Sequence, residues 1–77
     1  MDREKELQRL SEADRHVATA EKEVAKQMFL LEQLRRDGND TSAAEKTLKG
    51  FEDTLQVIRG HREQIFRMLE QIDKGLA

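Results

Sequence analysis

Two histidines are the side chains in this 77-residue chain whose chemistry could reach beyond simple ion pairing. His16 has Glu12 one helical turn before it, and His61 falls opposite His16 if the chain folds back on itself near residue 39. Two imidazoles and a carboxylate are ligands for a transition metal, above all where a second subunit supplies more. The same residues would also make a proton-sensitive hydrogen-bonding cluster, because imidazole titrates near neutrality. The spacing lacks the Glu-x-x-His pairs of di-iron bundles and the His-Glu-x-x-His of zinc proteases. No cysteine, glycine-rich phosphate loop or zinc-finger spacing is present. His16, His61 and Glu12 are therefore the only metal candidates. No catalytic residue and no cofactor are assigned, and the chain is expected not to be an enzyme.

The elements that would position these histidines are two long helices. In the second half, Ala44, Leu48, Phe51, Leu55 and Ile58 recur every three or four residues, and Arg62, Ile65, Leu69, Ile72 and Leu76 continue the rhythm. In the first half the same rhythm runs through Leu10, Ala13, Val17, Ala20, Val24, Gln27, Leu31 and Leu34. Such spacing keeps one seam of a helix against a partner helix. The expectation is an all-α chain: one two-helix antiparallel coiled-coil hairpin, pairing into a four-helix bundle. Its helices should cover about residues 3–37 and 42–75, joined by a turn at 38–41. Folding about residue 39 sets Ala13 against Ile65, Ala20 against Ile58 and Gln27 beside Phe51, so that small residues oppose large ones. Arg62 interrupts the second run. Its stem is expected to lie along the seam near Val17 while the guanidinium reaches out to water, with Asp14 or Glu63 near enough to pair.

The ends of the helices carry their own signals. Asp2, Glu4 and Glu6 precede the first run, and Arg35 and Arg36 close it, both favourable to the helix dipole. Gly38 suits the left-handed position that ends many helices. Asp40, Thr41 or Ser42 caps the second helix, and Ser42 with Glu45 has the spacing of a capping box. Pairs four residues apart, such as Glu32–Arg36, Glu45–Lys49 and Glu63–Arg67, would each add ~0.2–0.5 kcal/mol on the solvated faces.

Composition narrows the classes of partner. Charged residues make up 39% of the chain and hydrophobic ones 36%, with a net charge of −2. Residues 1–38 hold eight Lys/Arg against nine Asp/Glu, and residues 39–77 hold six against seven. No basic block attracts nucleic acid or an anionic membrane. The longest uncharged apolar stretch, Met28–Leu31, is far short of a bilayer span, and the first six residues lack the apolar stretch of a signal peptide. A cytoplasmic setting, without nucleic acid or membrane, is expected.

Several apolar residues fall outside the seam. Met28, Phe29 and Leu30 make the first helix apolar all round at that level, which a lone pair of helices cannot bury. Val57 and Phe66 are the counterparts on the second helix, with Gly50 and Gly60 beside them. Glycine inside an exposed helix costs ~1 kcal/mol relative to alanine, a cost that close packing of another helix would offset. Phe29, Met28, Leu30, Val57, Phe66, Gly50 and Gly60 are thus the expected interface with a homodimer mate or another helical protein.

The segments Ala13-Asp14-Arg15-His16-Val17-Ala18, Gly38-Asn39-Asp40-Thr41-Ser42, Ala44-Glu45 and His61-Arg62 resemble those of a group of short bacterial helical-hairpin proteins with no assigned activity. The resemblance spans most of the chain. It implies the hairpin fold and a role for the level of Arg15 and His16, and no reaction.

Overall fold

A computed structural model describes residues 2–75. It contains two helices, α1 (Arg3–Arg36) and α2 (Ser42–Asp73), packed side by side in an antiparallel rod of 58 × 15 × 13 Å. No proline interrupts either helix. Asp2, in an extended conformation, starts α1 by accepting a 3.0 Å hydrogen bond from the Glu4 amide, one of the first-turn donors that the helix itself leaves free. At the other end Gly38 takes φ +73° and its amide donates to the Arg35 carbonyl, while the Asn39 amide donates to that of Leu34. These two bonds form a Schellman turn, which only a residue without Cβ enters at little cost.

The capping box proposed for Ser42 and Glu45 does not form. Ser42 is already the first helical residue, and the cap position belongs to Thr41, whose side chain makes no capping bond. Asp40 Oδ1 instead accepts from the Ser42 amide at 3.0 Å and from the Ser42 hydroxyl at 2.8 Å. An aspartate bonding the amide two residues on is the Asx-turn geometry, so the stabilising side chain sits one residue ahead of the cap. Glu45 is drawn elsewhere, accepting from the Thr41 hydroxyl at 3.3 Å and from Arg35 at 3.5 Å.

The seam follows the 3-4 rhythm. Ala13, Leu31, Leu55, Ile65 and Leu69 are buried, with Ala13 only 2% and Ile65 4% exposed; most other seam residues are half-buried. Leu76, the last position of the run, lies outside the described residues. At the opposite end the seam extends further than its apolar residues. Glu6, one turn before Leu10, is 7% exposed. Arg9 donates to its Oε1 at 2.9 Å, while its Oε2 has no hydrogen-bond partner among the described residues.

Among the described residues, register is written in four ion pairs between the helices: Arg3–Asp73 at 2.7 Å, Asp14–Arg62 at 2.5 Å, Glu21–Arg59 at 3.1 Å and Arg35–Glu45 at 3.5 Å. The numbers in each pair sum to between 76 and 80, so the helices stay level from the turn to the free ends. Each pair is exposed and stabilises little alone, but sliding either helix by one turn would break all four. They also share one edge of the rod. Asp14, Glu21 and Arg35 directly follow the seam residues Ala13, Ala20 and Leu34 on α1, as Glu45, Arg59 and Asp73 follow Ala44, Ile58 and Ile72 on α2.

Replacing Ala13 by Leu should overpack the level where the helices approach beneath Ile65. The expected loss is about 1–3 kcal/mol, measured by urea unfolding followed by circular dichroism. The carboxyls of Asp40 and Asp73 give a second expectation. Hydrogen bonds from the Ser42 amide and hydroxyl hold Asp40 below the usual carboxylate range, and the Arg3 guanidinium does the same for Asp73. Both therefore bind protons less readily folded than unfolded. Their stabilisation is present above an unfolded pKa of about 3.9 and is lost as pH falls through the lower folded values. Helicity at 222 nm should hold down to about pH 4 and decline below it, less steeply in an Asp40→Asn, Asp73→Asn double variant.

Candidate functional site

The two edges of the rod differ. On the edge opposite the ion pairs, short side chains flank the seam and a groove of about 270 Å³ opens between the helices. His16, Thr19, Ala20 and Glu23 form its α1 wall, and Phe51, Thr54 and Ile58 its α2 wall. Ala20 is too small to fill the space beside Ile58, and Thr19 and Thr54 are too short to close it. Apart from His16 and Glu23, the residues that line the groove are uncharged.

His16 therefore lines a groove, as the sequence could not show, while His61 is exposed on the same edge of α2 and does not line it. Glu12 is exposed on α1. Among the described residues no three His, Asp or Glu side chains gather into a set that could hold a metal ion. Glu12, His16 and His61 thus do not assemble a metal centre within one hairpin.

The residues expected at an interface are all exposed. Val57 is 73% and Phe29 62% exposed, and Met28, Leu30 and Phe66 are also open to solvent. They do not form one patch. Leu30 precedes a seam residue and so lies on the groove edge of α1, and Gly50 and Val57 lie beside the groove edge of α2. Met28 and Phe66 follow seam residues and belong to the ion-pair edge. Phe29 and Gly60 point away from the partner helix. A Cβ placed on Gly50 or Gly60 would meet nothing within 4 Å, so packing inside the hairpin does not demand glycine at either place. Phe66 is engaged already: the Arg62 guanidinium lies 5.8 Å from its ring centroid while bonding Asp14, a cation–π contact that draws the charge out of the seam. Asp14, by that hydrogen bond and by its charge, raises the Arg62 pKa further. Leu7, an exposed apolar residue on the ion-pair edge, is a further solvent-facing side chain. Its signal in the sequence was an isolated leucine directly after Glu6, with no apolar neighbour to mark it.

No helix among the described residues is long and apolar enough to cross a membrane. Calorimetric titration with Zn²⁺ should give the same heats for the protein and for a His16→Ala variant. A saturable heat that vanishes with His16 would establish a shared site between copies.

Comparison with known proteins returned no family model, no curated protein and no solved structure that matches the chain, so the resemblance in the residue 13–18, 38–42, 44–45 and 61–62 segments rests on those residues alone.

Proposed function

We propose that this chain is a non-enzymatic, cytoplasmic helical protein that works by association between helices, most simply as a two-fold homodimer whose two hairpins complete a four-helix bundle. The observation that supports this reading is the mismatch between core and surface. No large side chain is fully buried among the described residues, yet Leu30 and Val57, beside the groove, stand exposed, Val57 by 73%. A chain this small buries a lower fraction of its surface than larger domains do, and no cysteine is present to reinforce it. A second hairpin supplies the missing layer. The balanced charge, −2 overall, favours protein over nucleic acid as the partner.

Sedimentation equilibrium across about 1–100 μM, a range chosen to bracket dissociation constants typical of transient to stable pairs, should return twice the 9.0 kDa chain mass. A 9.0 kDa species at every concentration would sink the homodimer.

A further inference from the structure

We infer that two copies dock groove to groove, related by a two-fold axis that runs between them, perpendicular to the helices, at the level of Thr19 and Val57. This rests on the self-association proposed above and specifies its face and register.

The first observation is a second 3-4 row on α2. Eleven of its 32 residues are charged, yet the row from Ala43 to Gln71 that borders the groove contains none of them. Each of its residues directly precedes a seam residue, so at 100° per residue the row lies about 100° around the helix from the seam, close to the right angle between neighbours at the corner of a four-helix bundle. Its two halves are unequal. Thr47, Gly50 and Thr54 are short, and beyond Val57 come the longer His61, Gln64 and Met68. A two-fold axis at Val57 turns one half onto the other: Thr47 meets Met68 of the second copy, Gly50 meets Gln64, and Thr54 meets His61. Short against long along the whole row is self-complementary packing. It also gives Gly50, which has open space where a Cβ would stand, a reason to be glycine. Val57 and the half-buried Ile58 in the groove wall meet their own copies at the centre.

The second observation is the row of α1 on the same side of the groove, which is charged. Turning it about an axis at Thr19 sets Glu12 against Lys26 of the second copy and His16 against Glu23, with no like charges opposed. A shift of one heptad either way would bring Glu23 onto Glu23 or Lys5 onto Lys26. Charge on α1 and size on α2 therefore select their axes independently, and the axes coincide. Thr19 and Val57 have numbers summing to 76, within the range of the interhelical ion pairs. All neighbouring helices in the resulting square are antiparallel, which also suits their dipoles.

The chain has no cysteine, so single-cysteine variants report contacts directly. Val57→Cys and Thr19→Cys should form disulfide-linked dimers under mild oxidation about tenfold or more faster than Phe29→Cys and Gly60→Cys, whose positions face away, because docking raises the local thiol concentration. Independently, Glu12→Lys and Lys26→Glu should each raise the dimer dissociation constant by about five- to tenfold, and the double variant should restore it to within about threefold. Those two residues are about 21 Å apart along one helix, so the rescue must cross between chains. A dimer that links through Phe29→Cys first, or that shows no charge-swap rescue, overturns this docking and leaves self-association standing. A protein that stays monomeric in sedimentation overturns both.

Discussion

Two helices of more than thirty residues have a single line along which they can leave water together, and every other feature of the hairpin depends on how closely they approach there. Ala13 and Ala20 on α1 keep that line narrow, and Ile65, Leu55 and Leu69 on α2 supply the bulk that fills it. Among the described residues there is no further layer to share the burial. A helix of this length is held less by its own propensity than by the face it packs, so neither helix has another source of lasting order within the chain.

The closeness of that seam makes the flanks consequential. On one edge the side chains just beyond the seam are oppositely charged, and they reach across it in four pairs that hold the register and close that edge with polar groups. Arg62 and Phe66 belong to this edge. A charge that would be costly in the seam is drawn outward by Asp14 and laid over an aromatic ring. On the other edge threonines and a histidine leave the groove unfilled. The molecule is thus finished on one side and open on the other. That asymmetry makes association the natural reading of its surface, in preference to chemistry at the histidines.

Much of this could be read along the chain because its signals are local. A 3-4 spacing of apolar residues states which face is buried, Gly38 followed by Asn39 and Asp40 states where the direction reverses, and equal arms state that the helices pair along their lengths. Even the outward path of Arg62 follows from its long stem and a nearby aspartate. The failures concern choices among nearby groups. Glu45 has Lys49 one turn ahead, yet it is held by Thr41 and Arg35, and the amide of Ser42 is taken by Asp40 rather than through a capping box. Glu6 has the polarity of a surface residue and the position of a core one, and position prevails.

By itself, the order of residues determined that the protein is an α-helical hairpin, since helical periodicity and a turn are properties of short stretches read one after another. Only the tertiary structure decided which edge the ion pairs close, that Glu6 joins the seam and that a groove opens between His16 and Ile58. Those depend on the volume left when two surfaces meet and on which of several reachable partners a long side chain takes. Neither quantity exists until the second helix lies against the first.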